Sequence, residues 1–394
     1  MAVNKLICPK CMAVHFVEDE SSGSCPHCHL SEDQVYNFRN SDEFLEKEIP
    51  RVIKERRDLG LSGLVGGLDF VIINTEPARQ RDSVEEFLRY TGYTYSDGFE
   101  DDSYRTCVLN AAGSASVLIR ARPLGKNLYS SFSTTPKARH LPNTRLESFV
   151  FAVPDLERYR SIQSSRGVNF QEDSILETDS MLFTQTIPSP FHGSSIGLIQ
   201  WKGDSRSWRT PGCSSLDWEF SKPTSDHLDR IFELDHTATR VHAQHRDEAI
   251  IEFMELTNYS FSLAIYVVSF NSITSVARLG ENDFAMVFTS GILPDTGEDD
   301  VGPTEKFIRN YGTRVHHMAF RTEEIDSTYR SLGEDGLGFL LELVGSPEEG
   351  LKQTFSRPSA STLLVNEYIQ RFGGFDGFFA RNNVTLLTES TGRQ

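Results

Sequence analysis

Residues 232–261 read FELDHTATRVHAQHRDEAIIEFMELTNYSF, and residues 66–95 read GGLDFVIINTEPARQRDSVEEFLRYTGYTY. Each stretch runs from an apolar strand opening on Leu-Asp, through a polar loop, into a helix. Each helix stops at Asn or Gly before an aromatic strand. In the later copy Ala249, Ile250, Phe253 and Leu256 recur on one helical face, as Val84, Phe87 and Leu88 do in the earlier one. The repetition continues downstream. ESFVFAVPDLERYRSI (147–162) matches HHMAFRTEEIDSTYRSL (316–332), and TQTIPSPFHGSSIGLIQWKGD (184–204) matches LKQTFSRPSASTLLVNEYIQRFGG (351–374). Strand–helix–strands units therefore begin near 67, 146, 233 and 314. This predicts an α+β chain of four βαβββ units in two pseudo-repeated halves, 67–203 and 232–394, joined by a Ser-, Pro- and Thr-rich linker at 204–231. Ahead of them lie residues 1–40 and a charged, helix-like linker at 41–66.

The bulk numbers agree with a globular chain of more than one core: 394 residues, 38% hydrophobic and 24% charged. No run of 18 apolar residues suggests a membrane span, and the opening MAVNKLICPKC has no secretory apolar core. Against 39 basic residues stand 56 acidic ones, a net charge of −17 that disfavours phosphate backbones and anionic membranes. The best basic candidate, RVIKERR at 51–57, follows acidic residues and reads as a solvated helix face. A cytoplasmic location fits these features.

Four of the six cysteines form C-x2-C-x13-C-x2-C within the first 28 residues, while Cys107 and Cys213 are isolated. Two such knuckles set four thiolates at the corners of a tetrahedron, so Cys8, Cys11, Cys25 and Cys28 are expected to hold one structural Zn(II) in a ribbon at 1–40. His27 and His29 are at most substitutes. A reduced thiol cluster without metal is the plain alternative, and would be reactive. A closed four-thiolate site has no open position, so its role is folding or docking.

The paired βαβββ layout resembles the vicinal oxygen chelate superfamily, over roughly 67–394. Within it, the second half is similar to the 4-hydroxyphenylpyruvate dioxygenases. In that family the first metal ligand follows an Asp in the opening strand, which here is LDHTAT and implies His236. The second lies in an H-[IM]-A-[LF] strand, here HMAF, implying His317. The third is a Glu in the last strand, here NEYIQRF, implying Glu367. Strand alternation supports the choice between the adjacent histidines: His317 shares a face with Ala319 and Arg321, suited to a wet cup, and His316 with Met318 and Phe320. His316 is expected at the core edge with a satisfied hydrogen bond.

Singly, a strand His or a late Glu is more often structural. Together, at equivalent points of a repeat, they point to chemistry. The first half serves as a control: Phe70, Ser148 and roughly Gln200 align with His236, His317 and Glu367, so the fold does not need the ligands. Two imidazoles and a carboxylate leave up to three open positions, as non-haem Fe(II) uses. Glyoxalase-type sites draw four ligands from two units, and only three occur here. The ligand types alone leave Mn and Zn open.

The resemblance further implies an aromatic wall from Phe375, Phe378 and Phe379 near the chain end, with core packing as the plain alternative. Gln353 in LKQTF and Ser275 in ITSVARL match a family glutamine and serine at the substrate. The family's Asn is absent, Ser290 or Ile292 standing there, and a later Gln is replaced near Thr304 and Glu305. The 50-residue interval from His317 to Glu367 is shorter than in those dioxygenases and closer to extradiol members. The resulting expectation is an Fe(II) dioxygenase using O2 on an aromatic 2-oxo acid or related chelating substrate. An extradiol enzyme, needing His242, His245 or His316 near the metal, and a non-catalytic binding protein docking through its ribbon are the alternatives. A homodimer and a protein partner at the ribbon are compatible with each.

Overall fold

The structure, a computed structural model, describes residues 38–394 except 125, 298–300 and 376, together with the backbone of β1 (Val3–Ile7) and β2 (Val14–Glu18). These two strands pair antiparallel. Cys8, Cys11, Cys25 and Cys28, and with them the expected zinc ribbon, lie outside the described residues.

The first half forms a nine-stranded sheet from β3 (Leu68–Thr75), β4 (Thr94–Glu100), β5 (Arg105–Asn110), β6 (Ser116–Ala121), β7 (Arg145–Ala152), β8 (Leu176–Glu177), β9 (Met181–Gln185), β10 (Ser195–Trp201) and β11 (Ser214–Ser215). Its order is β11-β4-β5-β6-β3-β7-β10-β9-β8. The second half forms an eight-stranded sheet from β12 (Ile231–Arg240), β13 (Ser260–Val267), β14 (Ser272–Arg278), β15 (Ala285–Ser290), β16 (Arg314–Thr322), β17 (Val344–Ser346), β18 (Leu351–Phe355) and β19 (Val365–Arg371). Its order, β13-β14-β15-β12-β16-β19-β18-β17, repeats that of the first sheet except for β11, which has no counterpart. Four βαβββ units result, with helices α2 (Gln80–Tyr90), α3 (Leu156–Ser165), α4 (Arg246–Leu256) and α6 (Ile325–Glu334) each following its first strand. Helix α1 (Glu43–Asp58) precedes them, α5 (Pro303–Tyr311) joins the two units of the second half, and α7 (Arg381–Ser390) ends the chain. No helix among the described residues is long and apolar enough to cross a membrane.

The register makes the repeat quantitative. Phe70 pairs with Val150 as His236 pairs with Ala319, and Ile72 pairs with Ser148 as Ala238 pairs with His317. Phe70 thus matches His236, and Ser148 matches His317. The third correspondence shifts. Gly197 pairs with Val150 as Glu367 pairs with Ala319, so Gly197, not Gln200, stands where Glu367 does. Gln200 instead matches Gln370. Both amides accept the backbone N–H that opens the helix of their own unit, Leu156 for Gln200 and Ile325 for Gln370, each at 2.8 Å. The loops before β10 and β19 are equal in length, 186–194 and 356–364, so the offset arises because the stretches beginning at Thr184 and Leu351 run three residues out of step.

One face of each sheet packs under helices in a core shared by both halves. Ala249, Ile250, Phe253 and Leu256 of α4 and Val84, Phe87 and Leu88 of α2 are buried in it, the faces their spacing predicts. Phe151 meets Phe253 and Tyr259 across the halves, and Tyr93 meets Phe320. Arg145 and Arg314, at equivalent strand starts, donate reciprocally to the carbonyls of Thr313 and Thr144. Gly92 sits where a Cβ would come within 2.0 Å of the Ile231 carbonyl oxygen, so only glycine admits the second half's first strand there. Helix α1 is more than a linker: its Arg56 donates to the carbonyls of Thr257 and Tyr259 at the end of α4.

Candidate metal centre

His236, His317 and Glu367 come from three adjacent strands, β12, β16 and β19, and are all buried. Their donor atoms lie within 4.8 Å of one another. The Nε2 atoms of His236 and His317 stand 3.1 and 3.2 Å from the same oxygen, Oε2 of Glu367. Yet His236 Nε2 and Glu367 Oε1 have no hydrogen-bond partner among the described residues. Buried polar atoms are seldom left so, and donors converging without bonding one another are what a cation would satisfy. Among the described residues this is the one group of three or more such side chains able to hold an ion.

Each imidazole is oriented through its other nitrogen. His236 Nδ1 lies 2.7 Å from Oδ1 of Asp235, whose carboxylate is clamped by Arg371 at 2.5 and 3.1 Å. This is the carboxylate–histidine arrangement that fixes a ligating tautomer. Burial works against charge on the Asp235 carboxyl, but His236 and Arg371 hold it well below the usual carboxylate range. Burial likewise disfavours a charged His236, and Glu367 and Asp235 outweigh it, raising the imidazole to about 9 without a cation. His317 is driven well below its ordinary value by burial, with His316, His236 and Arg240 adding to it, and so offers a neutral ring.

His316 is buried, with Nδ1 2.8 Å from His317 Nδ1 and Nε2 2.9 Å from Oε1 of Gln394. It is the residue skipped in the β12–β16 register, between His317 opposite Ala238 and Val315 opposite Thr239. Such a bulge breaks simple alternation. His316 therefore meets Phe307 and the edge of His317 rather than following Met318 and Phe320 into the helix layer.

A cavity of about 40 Å³ opens on His317 and Glu367, lined also by Gln353, Phe355 and Phe379 and by Val384 and Leu387 of α7. Gln353 is fully buried there, and neither its Oε1 nor its Nε2 has a partner. Phe378 and Phe379 pack edge-on against the His236 ring at 5.4 and 5.2 Å. Phe378 itself lines a neighbouring opening and not this cavity, and two other expected residues are not brought to it either. Phe375 packs beside Ala319, Leu351 and Ile369 and lines a separate, larger opening with Arg321 and Arg371. Ser275 accepts a hydrogen bond from Arg246 of α4, 3.0 Å, because alternation along β14 turns it to the helix side. Thr274 and Ser272 are the cavity-facing residues of that strand, and Val287 and Thr289 are those of β15. The sequence reading missed these, and it missed Arg240 as well. Arg240 shares the cup face with His236 by the same alternation, which was signal enough to find it.

No family model and no curated protein sequence matches the chain. Among solved structures it is similar to a triple variant of 4-hydroxymandelate synthase from Streptomyces coelicolor. The TM-score is 0.62 and the identity 15%, over 84% of this chain and 98% of that one. It is also similar to a xylose isomerase-like TIM barrel/4-hydroxyphenylpyruvate dioxygenase fusion protein, with TM-score 0.60 and 12% identity, over 89% of this chain and 58% of the fusion. At these identities the likeness is one of fold: the chain has the 4-hydroxyphenylpyruvate dioxygenase-like form of the vicinal oxygen chelate fold.

Proposed function

We propose that the chain is an Fe(II)-dependent dioxygenase that acts with O2 on a chelating 2-oxo acid. The carrying observation is the convergence of His236, His317 and Glu367 on one buried point beside a cavity. Two imidazoles and one carboxylate suit Fe(II) with open positions, and iron held there would supply the redox chemistry toward O2. The chain's own groups do the rest. Asp235 and Arg371 hold the His236 ring in register. Phe378 and Phe379 keep water from its faces. Gln353 offers an amide with free donor and acceptor atoms to a polar substrate group. No imidazole besides the ligand His317 lines the cavity, which counts against an extradiol mechanism assisted by a histidine.

Anaerobic Fe(II) titration followed by a 2-oxo acid or a catechol tests this reading. A visible charge-transfer band with the 2-oxo acid is expected. A response to catechol alone would favour the extradiol enzyme, and silence to both would favour a binding protein. For the N-terminal residues we keep the proposal of one structural zinc at Cys8, Cys11, Cys25 and Cys28. Cys8→Ser should lose that zinc and leave iron bound; unchanged zinc content would refute it.

A further inference from the structure

Arg240 lies four residues after His236 on β12 and lines the same cavity as His317, Glu367 and Gln353. It is 4% exposed. Its guanidinium donates to Oγ1 of Thr304 at 3.0 Å and of Thr391 at 2.9 Å, both neutral hydroxyls, and its Nε has no partner. Among the described residues no carboxylate stands within ion-pair distance, 4.0 Å, of it. Glu305 acts on it only from farther off, with one carboxylate oxygen already accepting the backbone N–H groups of Ala243 and Gly291.

The molecule's other buried arginines are differently placed. Arg122 pairs with Glu147, and Arg246 with Asp42 and Asp247. Arg56, Arg145 and Arg314 donate to backbone carbonyls, and none of them lines the cavity beside the triad. A buried cation with no close counter-charge is costly, and one that faces a cavity invites an anion from outside the chain. The surrounding wall fits such a ligand: Ser272, Thr274, Thr289 and Thr388 bring hydroxyls to the cavity, and Thr289 Oγ1 is unpartnered.

We propose that Arg240 binds the second carboxylate of a 2-oxo diacid whose first carboxylate and keto oxygen face the metal triad. This rests on the chelating reading above and names its substrate class. A planar guanidinium held by Thr304 and Thr391 is preset for a carboxylate in a way a lysine is not.

The test uses the full chain loaded anaerobically with Fe(II). Two probes are compared by calorimetry and by the charge-transfer band: 2-oxoglutarate, and 2-oxopentanoate, which matches its chain length and lacks the distal carboxylate. Wild type should bind the diacid more tightly by roughly tenfold or more. Arg240→Gln should collapse that ratio toward one, and Arg240→Lys should keep part of it. Thermal melting and iron content, read on the same samples, separate lost recognition from lost folding. Equal affinity of wild type for the two acids would overturn the assignment of Arg240 while leaving the chelate intact, as would a ratio that survives in Arg240→Gln. Iron bound with neither acid perturbing it would instead defeat the chelating reading, and this inference with it.

Discussion

The two cups of this molecule share strand order and register but differ in what fills them. Where the second half has His236, His317 and Glu367, the first has Phe70, Ser148 and Gly197. Phe70 stacks near Phe183 and meets Trp208 edge-on, with Val108, Leu118, Val150 and Ile199 around them. Gly197 is held to its size, since a Cβ there would come within 2.7 Å of Val150 Cγ2. Even the orienting carboxylate changes employment: Asp69, counterpart of Asp235, accepts from the indole of Trp201 and pairs with Arg206. Trp208 and Arg206 belong to the stretch expected to be a plain linker, and β11 from the same stretch pairs with β4. The first cup is closed by the chain that follows it, with apolar packing around Phe70 and with Ser148 hydrogen-bonded to Gln185. The second keeps converging polar atoms that nothing among the described residues satisfies. The difference teaches that the fold tolerates either content, so the polar content is there for a ligand.

The largest expected effect falls on metal affinity. His236→Ala, His317→Ala and Glu367→Ala should each weaken iron binding by more than about a hundredfold, and pairs of them should do little more, since one missing corner already disables the site. Ser148→Ala in the first cup should leave iron binding as it was. Isothermal titration under anaerobic conditions reads both. A stoichiometry of two irons would break the contrast between the cups.

Next comes stability. Phe70→Ala removes a ring that is 2% exposed and should cost about 3–5 kcal/mol in denaturant unfolding while iron stoichiometry holds. Loss of iron without loss of stability would mean that the first cup serves the site directly. A smaller effect separates the two aspartates. Asp235→Asn should weaken metal affinity by about 10–100-fold through the His236 ring, and Asp69→Asn should not alter it. The smallest effect should be equal in both halves: Gln200→Ala and Gln370→Ala each uncap a helix start and should cost about 1 kcal/mol. Unequal costs, or an iron effect from Gln200→Ala, would put the register correspondence in doubt.

Much of this was legible beforehand, for identifiable reasons. Helical faces such as Ala249, Ile250 and Phe253 are written in a period of 3.6, and the repeat exposed itself because both halves keep those faces. The three converging residues were picked out by likeness to motifs of the 4-hydroxyphenylpyruvate dioxygenases, with the first half as a control. Three things were not legible. The match of Gln200 with Glu367 failed because the stretches beginning at Thr184 and Leu351 run three residues out of step, although the loops before β10 and β19 are equal in length; hydrogen-bond register resolves the offset. The placing of His316 on the helix face failed because a bulge is invisible to alternation. Ser275 was assigned by likeness when its parity with Thr274 already sent it toward α4. The hydroxyls of Thr304 and Thr391 reach Arg240 from α5 and from the last residues of the chain, a meeting that no local pattern encodes.

The central claim is that one cup of two holds the metal, through two imidazoles and one carboxylate. Anomalous diffraction at the iron edge from anaerobically loaded crystals tests it most directly. The account predicts one peak in the second half, bonded to His236 Nε2, His317 Nε2 and a carboxylate oxygen of Glu367, and none in the first cup. A peak bonded to other side chains, or peaks of equal strength in both cups, would contradict it.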